Sequence, residues 1–236
     1  MINCRIISVN TNDIESDKSV QNIGHQKNEG RKIRYVKRRE KIEEFVKNTS
    51  IDGMNMEIFD AVTPKDFSFD SGKVYYKGNE YANSTEAELY IANTLSNFEI
   101  WNMEEDTLVL EDDVLFDVDV LREIQILCEE FKEVKIPNKL LYLLRSCPWK
   151  KGTPDRFYQT VKINDRFGIP TSPHDMSGNG AYFATSKTKE IILRNMKPIK
   201  ESDGMMGDLN NSKVLTYCIP NNIESMIRLD PQTTWL

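Results

Sequence analysis

The chain has 236 residues, a formal net charge of −6, and 39% hydrophobic and 29% charged residues, a composition ordinary for a globular protein able to bury a sizeable core. The acidic balance argues against a general nucleic-acid binder, and no apolar run approaches the roughly 18 residues needed to span a bilayer. Met1-Ile2-Asn3-Cys4-Arg5 leads straight into an apolar segment and lacks the form of a signal peptide, so one cytoplasmic domain over residues 1–236 is expected.

Cys4-Arg5-Ile6-Ile7-Ser8-Val9 predicts a buried opening strand, ended by Asn10-Thr11-Asn12-Asp13. Residues 11–30, rich in Asn, Asp, Gln and Gly, predict a long polar loop. Val36, Ile42, Phe45 and Val46 then recur at helical spacing between Lys32 and Lys47, and Met56–Phe59 predicts a second strand closing at Asp60-Ala61-Val62-Thr63-Pro64. Across residues 67–82, the turn signals Asp70-Ser71-Gly72 and Lys77-Gly78-Asn79 flank the alternating Lys73-Val74-Tyr75-Tyr76 and predict an inserted hairpin. Thr85-Glu86-Ala87-Glu88 has capping-box form ahead of a helix bearing Ile91, Leu95, Phe98 and Trp101.

Thr107–Leu110 is a short apolar strand that stops at Glu111-Asp112-Asp113. A helix through Leu121, Ile124, Cys128 and Phe131 follows, with Asp117 and Asp119 read as surface or capping acids. Strands at Leu140–Leu144, Ala181–Thr185 and Val214–Ile219, with a helix at Lys187–Met196, complete an α/β pattern with a mainly parallel central sheet flanked by helices. Cys4, Cys128, Cys147 and Cys218 form no CxxC pair and read as free thiols that pack like small apolar residues.

Three consecutive acids repel one another unless water or a cation satisfies them. Strand alternation would turn Glu111 and Asp113 to one side and Asp112 to the other. A carboxylate pair beyond a strand suits Mn²⁺ or Mg²⁺, which take oxygen ligands and leave positions for substrate phosphates. A solvated strand end with acids capping the next turn fits the same residues.

The run Leu108-Val109-Leu110-Glu111-Asp112-Asp113-Val114-Leu115-Phe116 resembles the strand-and-acidic signature of glycosyltransferase family 25, which includes lipopolysaccharide and collagen galactosyltransferases. Other segments follow in that family's order: Ile6–Asn10, Arg38-Arg39-Glu40-Lys41-Ile42, Phe59–Thr63, and Leu95–Trp101 with Asn97 where His is usual. Gly180–Ser186, and Pro198-Ile199 followed by Ser202-Asp203-Gly204-Met205-Met206, continue the series. One departure is the long polar stretch between the first strand and the arginine segment, where the family usually keeps them close.

The resemblance implies a GT-A type nucleotide-sugar-binding fold. It also implies a hexosyltransferase that moves a sugar from a nucleotide-sugar donor, typically a UDP-sugar, to an acceptor hydroxyl with inversion. Asp113 is implied as the metal ligand, with Glu111 as a second ligand or, like Asp112, a contact to metal-bound water or the donor. Ser8, Val9, Asn10 and Ala61 would border the nucleotide, and Arg38, with Arg34 and Arg39 nearby, would approach the diphosphate. Asp203 is implied as the base taking the acceptor proton, with Asp208 and Glu86 in reserve; Ser-Asp-Gly is equally a turn setting. His174 in the loop Pro170–Gly180, Trp149 and Tyr182 are candidates for touching sugar, against ordinary exposure or core packing.

The expected acceptor is a glycan, a lipid-linked glycan or a protein hydroxyl, with a hydroxylated DNA base less favoured by the acidic charge. A metal-dependent phosphoesterase would want further clustered ligands, and the chain has only His25 and His174. A binding module that keeps the fold without turnover is the non-enzymatic alternative.

Overall fold

The computed structural model describes residues 1–16, 29–70, 72–84, 88–144, 160–171, 180–195 and 202–228, with the chain course alone given at 14–16, 29–34, 89, 202–204 and 223. The strands are β1 (Ile2–Ser8), β2 (Met54–Asp60), β3 (Phe67–Asp70), β4 (Lys73–Tyr76), β5 (Asn79–Ala82), β6 (Thr107–Glu111), β7 (Lys139–Tyr142), β8 (Thr160–Lys162), β9 (Phe167–Pro170), β10 (Ala181–Ala184) and β11 (Thr216–Pro220). The helices are α1 (Thr11–Ser16), α2 (Glu29–Asn48), α3 (Glu88–Trp101), α4 (Val118–Lys132), α5 (Ser186–Asn195) and α6 (Ser202–Asn211).

An eight-stranded sheet of order β2-β1-β6-β10-β7-β11-β9-β8 forms the centre. β1 pairs in parallel with both β2 and β6, and β11 in parallel with β7. β10 runs antiparallel to β6 and β7, and β9 antiparallel to β11 and β8, so six of the eight strands share one direction. Such a sheet is buried on both faces, which is why its central strands are continuous apolar runs rather than alternating ones: Leu108, Val109 and Leu110 of β6 and Ala181–Ala184 of β10 are all inaccessible. α2 and α4 pack against β1, whereas α3, α5 and α6 pack together, with α5 also against β10. No helix among the described residues is long and apolar enough to cross a membrane.

Two local expectations change. Thr11–Ser16 is helical rather than loop. The Asn10 side chain accepts from Asn12 N at 3.0 Å and Asp13 N donates to Asn10 O at 3.0 Å, so the Asn/Asp-rich composition that suggests a loop here supplies a helix start. Across residues 67–82 the chain forms a three-stranded antiparallel sheet, β3-β4-β5. Both turn signals are used: Gly72 and Gly78 have φ of +83° and +77°, conformations that glycine adopts without strain.

Candidate active site

The parallel strands β1, β2 and β6 end side by side, and in open α/β sheets ligands gather beyond such carboxyl ends. Ser8 closes β1, Asp60 closes β2 and Glu111 closes β6; the register sets Ser8 opposite Asp60 and Ile7 opposite Glu111. The strand stops at Glu111, and Asp112-Asp113 form a turn. Strand alternation therefore does not carry through the acidic triplet, and each acid has its own surroundings.

Asp112 turns inward. Its Oδ2 accepts from Ser8 Oγ at 3.0 Å and its Oδ1 from Arg38 Nη1 at 3.2 Å. Arg38 and Asp112 side chains are only 6% and 11% exposed, so this ion pair is desolvated and held by geometry rather than left as a solvated contact. Burial is the largest cause pushing the Asp112 carboxyl up to about 6; the Arg38 charge opposes it, Asp113 adds to it, and the bonds from Ser8 and Arg38 pull it back.

Arg39 serves the neighbouring strand end. Its Nη1 donates to Asp60 Oδ1 at 2.7 Å and to Ser8 O at 3.5 Å, while Nε donates to Glu43 Oε1 at 2.7 Å. Asn10 Nδ2 donates to Asp60 Oδ2 at 3.2 Å, and Ala61 N donates to Ser8 O at 2.9 Å. Val9, with Tyr35 and Val36 of α2, is partly buried against one hydrophobic cluster, and the Arg38 guanidinium lies 5.7 Å from the Tyr35 ring centre. The arginine segment, separated from β1 by a long polar stretch, is thus folded back onto the ends of β1 and β2.

Glu111 faces α3. Its Oε1 accepts from Asn93 Nδ2 at 3.0 Å, and its backbone N donates to Gly180 O at 2.9 Å. Asp113 follows in the turn with its Oδ1 closed off from bulk solvent. Among the described residues no group of three or more His, Cys, Asp and Glu side chains forms a ready-made metal cage.

The residues expected at the donor side, Ser8, Val9, Asn10, Arg38, Ala61, Glu111, Asp112 and Asp113, therefore cluster around three adjoining strand ends. Asp203 stands in the first turn of α6, so the Ser-Asp-Gly signal opens a helix; its side chain lies outside the described residues. The same holds for Arg34's side chain and for His25, Glu86, Cys147, Trp149 and His174. Tyr182 is wholly buried and is a core residue, not a sugar-stacking surface. Sequence reasoning missed Asn93 altogether; its signal is the spacing of four to Asn97, which sets both amides on one face of α3.

Carboxylates and arginines thus meet beyond the carboxyl ends of parallel strands in a mixed α/β sheet, where such sheets bind ligands. The chain belongs to glycosyltransferase family 25 (LPS biosynthesis protein), whose family model matches residues 34–202. It is therefore a glycosyltransferase, with a sugar donor and an acceptor as substrates. The match takes in Arg38, Ala61 and Glu111–Asp113, while β1 and Asp203 lie outside it. No curated protein matches the chain. Among solved structures, a protein described as a glucose-1-phosphate thymidylyltransferase from Bacillus anthracis, in complex with a sucrose, is similar at 15% identity. That similarity covers 93% of this chain and 87% of the other with a TM-score of 0.35, a likeness that carries no argument.

Proposed function

We propose that the protein transfers a hexose from a UDP-sugar to a hydroxyl of a glycan, with inversion, at a GT-A type donor site beyond β1, β2 and β6. The observation that carries this reading is the meeting of Glu111, Asp112 and Asp113 with Ser8 and Arg38 at adjoining strand ends. The family's description as an LPS biosynthesis protein supports the glycan acceptor.

A divalent Mn²⁺ or Mg²⁺ fits the donor set. Such ions are commonly held by one or two carboxylates with substrate phosphates completing an all-oxygen shell, so a ready-made cage is not required. Asp113 would hold the ion, with Glu111 contributing through its second oxygen or through water. The ion, when bound, neutralises negative charge on the departing diphosphate.

The chain's own residues do the rest. The acceptor oxygen forms its bond to the anomeric carbon as the bond from that carbon to the diphosphate oxygen breaks, and UDP leaves. The acceptor proton passes to the carboxylate of Asp203, the proposed base in α6. Asp112, tied to Arg38 and Ser8, braces the turn that presents its neighbours.

The test is release of nucleoside diphosphate from a panel of UDP-, GDP- and CDP-sugars, with a glycan acceptor present, followed chromatographically. Asp203→Asn is expected to lower kcat by about 100-fold or more while donor binding persists. Release at the wild-type rate by that variant would remove Asp203 from the base role.

A further inference from the structure

Trp101, Tyr182 and Asn97 are polar-tipped side chains with almost no exposure (1%, 0% and 0%), and they are joined end to end. Trp101 Nε1 donates to Tyr182 Oη at 2.8 Å, and Tyr182 Oη donates to Asn97 Oδ1 at 2.7 Å. Asn97 Nδ2 donates to Asn93 Oδ1 at 3.3 Å and to Asn93 O at 3.1 Å. Asn93 Nδ2 then donates to Glu111 Oε1 at 3.0 Å.

The chain has a fixed direction. An indole N–H only donates and a carboxylate only accepts. With one at each end, the Tyr182 hydroxyl must donate onward, and both asparagine amides are locked in one orientation, with no ambiguity between their oxygen and nitrogen. Buried polar groups are costly to leave unmade and stiffen the structure when every member is satisfied. A core of aliphatic residues would fill the same space, so a directed series of four polar side chains ending on a site carboxylate calls for a reason beyond packing.

We propose that Trp101, Tyr182, Asn97 and Asn93 are positioning residues that hold the Glu111 carboxylate in the orientation the donor needs. The inference rests on the reading of Glu111 as a donor-site residue. The relay acts only through Glu111, so its effect on donor binding disappears when that carboxylate is replaced.

The experiment measures the affinity of the full chain for UDP with Mn²⁺ in wild type, Tyr182→Phe, Asn97→Leu and Asn97→His. Tyr182→Phe and Asn97→Leu are then repeated with Glu111→Gln. Each is expected to weaken UDP binding at least fivefold alone and less than twofold beside Glu111→Gln. Asn97→His is expected to bind within twofold of wild type, because its two ring nitrogens accept from Tyr182 and donate to Asn93. Wild-type affinity in Tyr182→Phe, or an equal loss with and without Glu111→Gln, would overturn the proposal.

Absence of UDP binding by folded wild type would instead sink the donor-site reading. In that event, or if Glu111→Gln alone abolishes binding, unfolding midpoints decide. Tyr182→Phe and Asn93→Leu interrupt the same hydrogen-bonded series, so their combined midpoint loss should fall clearly short of the sum of the two single losses. Strictly additive losses would overturn the relay.

Discussion

Lys189 has no exposed surface, and its Nζ donates to Ile100 O at 3.2 Å and Thr107 Oγ1 at 3.0 Å. It ties the end of α3 to the start of β6. Burial lowers its ammonium from the usual 10.5 to about 8, against the opposing pull of Glu105 and Asp106. Between those two values the unfolded chain binds more protons than the folded one, so this group makes stability rise with pH across that window. The gain is on the order of 2 kcal/mol. Denaturant unfolding at pH 8 and pH 10.5 should therefore show a larger increase for wild type than for Lys189→Met, and parallel behaviour would contradict it. The cysteines give a simpler check. Burial pushes the thiols of Cys4 and Cys218 up to about 12 and that of Cys128 well above its usual value. Since thiolate is the reactive form, iodoacetamide should leave all three unlabelled in the native protein and label them after unfolding.

At the scale of elements, α4 starts where Asp117 Oδ1 accepts from Asp119 N at 2.9 Å and Val120 N at 3.2 Å. Asp117→Ala should cost about 1 kcal/mol in urea unfolding, as helix caps generally do, and an unchanged midpoint would deny the cap a role. This acid was legible in the sequence because it directly precedes the periodic apolar face Leu121, Ile124, Cys128 and Phe131. β1 and β6 were legible as apolar runs, and the acidic stop after β6 marked the end of that strand and the candidate site beyond it. β8 and β9 were not. They have three and four residues, and Val161 at the sheet edge is 62% exposed, so neither alternation nor a continuous apolar run announces them. α6 was hidden by its own composition. Gly204 and Gly207 weaken helical preference, yet Met205, Met206 and Leu209 bury themselves and tertiary packing holds the helix.

Across the whole molecule, the candidate site exists only because distant segments converge. Ser8 and Asp112 are 104 residues apart in sequence, and Arg38 and Asp112 are 74 apart. Local pattern could nominate each residue but not their contacts. The reversed direction of β10 was equally hidden, since four consecutive buried residues look the same in a parallel or an antiparallel strand. The Arg38–Asp112 pair links α2 to the turn after β6, and removing one partner leaves a desolvated charge behind. Arg38→Met should accordingly destabilise the protein by about 3 kcal/mol, and a change below 1 kcal/mol in denaturant unfolding would show that the pair contributes little.

The most direct test of the donor site is the melting temperature of wild type and Asp113→Ala against UDP-, GDP- and CDP-sugars, with and without Mn²⁺. A metal-dependent rise with a UDP-sugar, on the order of several degrees at saturation and lost in Asp113→Ala, is the expected result. A folded wild-type protein that no nucleotide sugar stabilises, with or without Mn²⁺, would contradict a donor site at the ends of β1, β2 and β6.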